Sequence, residues 1–247
     1  MTAPVYERIG KGYANRRRAD PRIAAPIHAA LGDARTVVNV GAGAGSYEPG
    51  DVELLAVEPS VTMIRQRPAG AAPVVRAVAE SLPFPDATFD AALALLTVHH
   101  WTDPERGLAE LSRVAARQVV LTWDPDVQAQ FWFVREYLPE WNEYEHSKAT
   151  LARVSSALPR ARVEPIPVPH DCTDGFGCSY WRRPEAYLDP DVRASISVLA
   201  LLDERIVERA MRRLRDDLAS GVWHERHAEL LDSEEYDGGY RLVIAES

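Results

Sequence analysis

The sequence predicts an α/β fold, a doubly wound sheet of about seven strands ending in an antiparallel pair and covered by a helical lid. Three observations lead there. Short apolar runs alternate with helical stretches from residue 21 to residue 123, the rhythm of strand–helix–strand units that build a parallel sheet. Those runs are continuous in their hydrophobicity, as strands buried on both faces read. After Asp124 the rhythm gives way to helical stretches, and the chain closes on one more apolar run, "YRLVIA" at 240–245.

Each element has its own local warrant. "PRIAAPIHAAL" (21–31) reads as a helix that Gly32 stops. "TVVNV" (36–40) is the first strand and "ELLAVE" (53–58) the second, followed by a short helix in "PSVTMIRQR". "APVVRAVA" (72–79) is the third strand, and "FDAALALLTV" (89–98) the fourth and most apolar. "DPERGLAELSRVA" is a helix with proline in its first turn, and "QVVLTW" (118–123) is the fifth strand. Helical stretches near 127–137 and 147–157 lead to "RVEPIPVP", whose alternating prolines suit an edge strand. A helical segment over roughly 182–231 follows, in which Ile206, Ala210, Leu214 and Leu218 recur every four residues as a core-facing stripe. The whole chain, 1–247, reads as a single domain. Within it, 1–32 form an N-terminal helical cover, 33–125 the ligand-binding core, 126–239 the helices, edge strand and lid, and 240–247 the terminal strand.

Composition narrows the partners. The chain has 247 residues, 46% of them hydrophobic, enough for a full core. A net charge of −9 argues against nucleic acid or an anionic membrane as the main partner. The basic run from Arg8 to Arg22 is a local exception, read as a solvated face or as a gate for an anionic ligand. Two cysteines, Cys172 and Cys178, make no zinc framework and suit a reduced, cytoplasmic setting. The start "MTAPVYERIGKG" lacks a signal pattern, and the run Ala91–Val98 is too short to cross a bilayer.

In "VVNVGAGAGSYEP" (37–49), Gly41, Gly43 and Gly45 follow a buried strand. Glycine there tolerates positive φ and lets main chain approach a ligand, and ligands in open α/β sheets sit beyond the carboxyl ends of the strands. Glu58 ends the second strand, 17 positions beyond Gly41, where a carboxylate can accept both hydroxyls of a ribose. A dinucleotide fits poorly. The turn leaves only a stub of helix before the second strand, and Glu48 adds negative charge where a pyrophosphate would lie.

The block "AVAESLPFPDATFDAALALLTVHHWTD" (77–103), joined to that turn and Glu58, resembles class I S-adenosylmethionine-dependent methyltransferases, in the group related to the ubiquinone/menaquinone biosynthesis enzymes. The resemblance covers about residues 5–125 and the closing "DGGYRLVIA", and it implies a Rossmann-like fold with S-adenosyl-L-methionine as cofactor. It further implies that Gly41, Ala42, Gly43 and Gly45 line the methionine portion, while Glu58 binds the ribose diol with Pro59 and Met63 beside the adenine. Ala79, through its N–H, and Glu80 meet the adenine edge. Leu95 offers its carbonyl to the ammonium, with Thr97 close by. Tyr13 closes over the cofactor and Arg17 reaches its carboxylate. Two departures stand out: Asn39 replaces an acid common two residues before the first glycine, and Val78 replaces an Asp that commonly receives the adenine amino group.

The implied activity is methyl transfer to a small-molecule acceptor by in-line displacement, with neither nucleic acid nor membrane as partner and no metal site. His100, and after it His99, are the candidate bases, since both follow the fourth strand where the methyl group would point. Packing within the loop is the competing reading for both. Asp124 and Asp126 read as an acceptor contact or as a helix cap, the cap being favoured. Phe176, Tyr180 and Trp181 lie over the acceptor or form the seam of the lid. Two other functions are compatible with the chain: a cofactor-binding regulatory or scaffold protein without activity, and a nicotinamide-dependent oxidoreductase.

Overall fold

The computed structural model describes residues 17–146, 151–158 and 160–246. Seven strands form one sheet: β1 (Thr36–Val40), β2 (Glu53–Val57), β3 (Val74–Val75), β4 (Phe89–Leu95), β5 (Ala115–Trp123), β6 (Arg162–Pro165) and β9 (Tyr240–Glu246), in the order β3-β2-β1-β4-β5-β9-β6. The first five are parallel, while β9 runs antiparallel to both β5 and β6. The expected sheet, with its antiparallel end, is therefore the observed one.

Why these residues form these strands is visible in their burial. Val37, Val38 and Val40 are fully buried, as are Ala91 through Ala94, so both faces of β1 and β4 are covered by helices. On one face lies the helix Pro104–Val114, capped by Asp103 and packed through Leu108 and Leu111. On the other lies α1 (Pro21–Ala29), capped by Asp20, with Ile23 and Ile27 in the core. Burial of each such side chain contributes roughly 1.5–3 kcal/mol.

Three segments depart from the sequence reading. The third strand shrinks to Val74–Val75 because it is the sheet edge, paired on one side only, and the chain leaves it to reach the ligand cleft. "RVEPIPVP" divides: β6 stays in the main sheet, while Val168–Pro169 (β7) pairs with Glu235–Tyr236 (β8) in a separate two-stranded sheet. The helical segment over 182–231 is broken into short pieces by Pro184, Pro190, extended backbone at Ile196 and Leu202, and the left-handed Gly221. Its longest member, Glu204–Ser220, buries Val207, Ala210, Met211 and Leu214, so the stripe is shifted toward one side of the predicted one; Ile206 and Leu218 are half-buried at its margin. No helix among the described residues is long and apolar enough to cross a membrane.

Candidate active site

Two cavities meet at the carboxyl ends of the parallel strands. The larger is a cleft whose floor is the turn after β1. Gly41 has φ +71°, and a Cβ there would strike the Thr97 side chain, so main chain and Thr97 meet only because the side chain is absent. No helix occupies the stretch between β1 and β2, which is turns, bends and irregular backbone. Tyr47 sits in that stretch at φ +63° and is buried.

Glu58, just past β2, is buried and held by main chain: Oε2 accepts from Gly43 N at 2.8 Å and Oε1 from Ser60 N at 2.8 Å. This fixes a carboxylate between the glycine turn and the start of the helix Val61–Ile64, with Pro59 and Met63 beside it in the cleft wall. Val78, 43% exposed, and Ala79 form the rim. Glu80 also lines the cleft, and its Oε1 accepts from Thr102 N at 2.6 Å and Asp103 N at 3.1 Å, bracing the loop that follows β4. Leu95 and Thr97 complete the far wall.

Asn39 shows what its departure from the family pattern does. Its Nδ2 donates to Glu48 Oε1 at 3.1 Å, and Glu48 Oε2 accepts from Arg67 Nη2 at 2.8 Å. Glu48 is thus turned onto Arg67 and stands outside the cleft lining, which corrects the reading that its charge opposes a pyrophosphate there. Asn39 Oδ1, buried, has no hydrogen-bond partner among the described residues and lies at a residue that lines the cleft.

Of the expected cofactor residues, Arg17, Gly41, Ala42, Gly43, Glu58, Pro59, Met63, Ala79, Glu80, Leu95 and Thr97 converge on this one cleft. Gly45 does not figure in the lining; it closes the turn from behind, at φ +92°, against Arg67 and Glu48. Tyr13 lies outside the described residues. Sequence reasoning missed Ser46, Tyr47 and Leu96, all of which line the cleft.

The second cavity lies between the sheet end and the lid. Arg17 and Leu96 line both cavities and so form the wall they share. The two histidines sit on a single 3-10 turn, Val98–His100, with ring centroids 3.7 Å apart, instead of on an extended strand. Even so they divide: His100 lines the cleft, and His99 lines the second chamber against Trp123. Phe176 lines that chamber too, whereas Trp181 is fully buried in the lid, donating to the carbonyl of Val168 at 3.0 Å and stacking on Tyr236. Tyr180 packs on Tyr187 beneath the Arg183 guanidinium. Arg182 and Arg183 are engaged by main-chain carbonyls of Ser233, Cys172 and Ser179. Asp124 caps the helix Pro125–Gln128, accepting from Asp126 N at 3.0 Å, as the favoured reading had it.

One buried carboxylate ties the parts together. Asp174 accepts from Arg17 Nε at 2.6 Å and from the Tyr47 hydroxyl at 2.7 Å, joining the N-terminal strap, the glycine turn and the rim of the lid. Burial first, and the Asp174 charge next, push the Tyr47 phenol well above its ordinary pKa, so it stays a neutral donor. Asp20 makes a second tie, accepting from Arg22 and from Thr173 N. The described part of the basic run is therefore largely a fastening, since Arg17 and Arg22 pair with Asp174, Asp20 and Asp171. Cys172 and Cys178 are both buried, and burial raises the Cys172 thiol to about 11.

A parallel sheet with β9 inserted antiparallel beside β5, and a glycine turn facing a buried acid at the end of β2, form an arrangement shared with solved methyltransferase structures. Residues 38–121 match the family model described as a methyltransferase domain. The chain is 31% identical over 116 residues to 2-methyl-6-phytyl-1,4-hydroquinone methyltransferase 2, a chloroplastic protein of Oryza sativa subsp. japonica, a match covering 42% of this chain and 33% of that one. The chain thus spans about a third of the length of the curated relatives it matches. A solved Anabaena variabilis structure, described as a candidate methyltransferase from an antibiotic biosynthesis pathway, superposes with a TM-score of 0.83 at 29% identity, covering 94% of this chain and 99% of that one. An Anaeromyxobacter dehalogenans structure, described as a candidate type II methyltransferase, shares the fold, with a TM-score of 0.55 at 21% identity over 93% of this chain and 95% of that one.

Proposed function

We propose that the protein transfers the methyl group of S-adenosylmethionine to a small-molecule acceptor held between the sheet and the lid. The observation that carries this reading is Glu58: a buried carboxylate fixed by two main-chain N–H groups beside a turn that admits no Cβ. That carboxylate receives the ribose hydroxyls, which keep their affinity for it because water is already excluded from its surroundings. Asn39 Oδ1, a buried acceptor without a described partner, receives the cofactor's ammonium together with the Leu95 carbonyl. Pro59, Met63 and Val78 supply apolar faces for the adenine, and Ala79 N–H with Glu80 meets its edge. When bound, the cofactor supplies an activated sulfonium methyl.

The rest is positioning by this chain. Holding donor and acceptor in line can be worth roughly 7–11 kcal/mol, and Leu96, on the wall the two cavities share, keeps water from competing. The existence of a second chamber beyond that wall favours transfer over mere cofactor binding, since a scaffold protein has no use for it. Calorimetric titration with S-adenosylmethionine, S-adenosylhomocysteine and NAD tests the reading. Micromolar binding of the first two and none of NAD is expected; binding of NAD alone overturns it.

A further inference from the structure

Asp174 stands between the two cavities, and the residues around it line both. Its side chain is fully buried, with Oδ1 accepting from Arg17 Nε at 2.6 Å and Oδ2 from the Tyr47 hydroxyl at 2.7 Å. Tyr47 belongs to the cleft wall, Arg17 to both cavities, and Phe176 and Gly177, just beyond Asp174 in the chain, to the second chamber.

Three features make this contact more than a fastening. Tyr47 holds a left-handed backbone, φ +63°, which a bulky side chain rarely adopts. Strain of that kind persists only where the surroundings over-determine it. Here the Tyr47 carbonyl accepts from His28 Nε2 at 3.0 Å while the hydroxyl is held by Asp174. Next, the same turn carries Gly43, whose N–H fixes Glu58, so a ligand received at Glu58 meets a backbone that continues into Tyr47. Finally, residues 170–183 carry neither helix nor strand, apart from the single bridge between Arg17 and Asp174. Side-chain anchors hold that segment: Thr173 N on Asp20, Arg183 on the Cys172 carbonyl, and Asp174 on Arg17 and Tyr47. The anchor at Asp174 reaches two residues that line the cleft. A segment without regular structure has conformational freedom to lose, so order gained at one anchor is passed to its neighbours.

We propose that Asp174 is a positioning residue that couples the two cavities: filling the cleft firms the contact from Tyr47 to Asp174, which sets Phe176 and Gly177 in place for the acceptor. This rests on the cleft being the cofactor site. Binding is then ordered, cofactor before acceptor. The coupling is reciprocal, because each ligand finds already ordered what it would otherwise have to order itself. The Tyr47 hydroxyl carries the coupling, and the ring alone does not.

The test is hydrogen exchange over residues 171–181 of the full chain, with and without saturating S-adenosylhomocysteine, in the unaltered protein and in Tyr47→Phe. In the unaltered protein the ligand is expected to slow exchange there about tenfold. The helix Glu204–Ser220, which lines neither cavity, is the control that should not respond. Tyr47→Phe keeps the buried ring and leaves Asp174 paired with Arg17. In that variant the protection should fall to within about twofold, and S-adenosylhomocysteine should bind roughly three- to tenfold more weakly. A Tyr47 that merely supports the fold would lower thermal stability equally with and without ligand and leave the protection ratio unchanged; that result overturns the proposal. So does a lack of protection at 171–181 in the unaltered protein while the ligand binds, and this measurement decides alone should Tyr47→Phe fail to fold. Either of these results leaves the cofactor reading standing, whereas failure of S-adenosylhomocysteine to bind brings down both.

Discussion

Between Thr36 and Trp123 the cleft's buried carboxylate is fixed by main chain, whereas between Pro125 and Tyr236 the walls of the second chamber are side chains. In the first region Gly43 N and Ser60 N fix Glu58, and Gly41 makes room by having no side chain. In the second, Trp141, Phe176 and the indole of Trp181 fill or bound the space through ring contacts. Main-chain contacts tolerate substitution at many neighbouring positions, so the first region can match a family model from residue 38 to 121 while the second lies outside the match. On the proposed function, the first region holds the cofactor and the second the acceptor.

Substitutions that join or separate the two regions should differ in size. The largest effect is expected at Asp174, which holds strap, turn and lid together: Asp174→Ala removes the acceptor of Arg17 and Tyr47 and should cost about 3–5 kcal/mol, as breaking a buried charge pair does. Denaturant unfolding measures it, and a loss below about 1 kcal/mol would mean that the regions are fastened elsewhere. Gly41→Ala combines positive φ with a collision against Thr97, for an expected loss of roughly 2–4 kcal/mol together with cofactor binding.

Asp20 sharpens the comparison through pH. The side-chain hydrogen bond from Arg22 is the main cause that holds its carboxyl well below the usual carboxylate range, with Thr173 N–H assisting. A depressed folded-state pKa means stabilisation that is complete above the unfolded value near 4 and lost as pH falls from there toward the lower folded value. Asp20→Asn should therefore be less stable by about 1–3 kcal/mol at neutral pH, and the gap to the unaltered chain should close in acid melts below pH ~4. The smallest effect belongs to the exposed pair of Arg209 with Glu140 on the lid surface: Arg209→Ala should change stability by less than ~1 kcal/mol.

Much of the cofactor half was legible in the sequence because its signals are local. Continuous apolar runs mark β1, β2, β4 and β5, a helix stop at Gly32 is a matter of one residue with φ +63°, and Glu58 follows its strand at a fixed spacing from the turn. What escaped was set by distant contacts. β3 is short because it has a neighbour on one side only, which no run of valines announces. Tyr47 was inconspicuous, since its role depends on a left-handed backbone and on Asp174, 127 residues away. The division between His99 and His100 depends on a 3-10 turn and on Trp141, Phe176 and Ser195–Val198 arriving from the lid. Asn39 looked like a defect, whereas its Nδ2 is engaged by Glu48 and its Oδ1 remains available in the cleft wall.

The division into a cofactor half and an acceptor half is tested most directly by titrating S-adenosylhomocysteine into Glu58→Ala and Trp123→Phe beside the unaltered chain. Glu58→Ala should weaken binding at least tenfold, the ~1.5–3 kcal/mol of charge-assisted hydrogen bonds, while Trp123→Phe should leave the affinity within about twofold. Equal losses in the two variants, or full affinity in Glu58→Ala, would contradict the account.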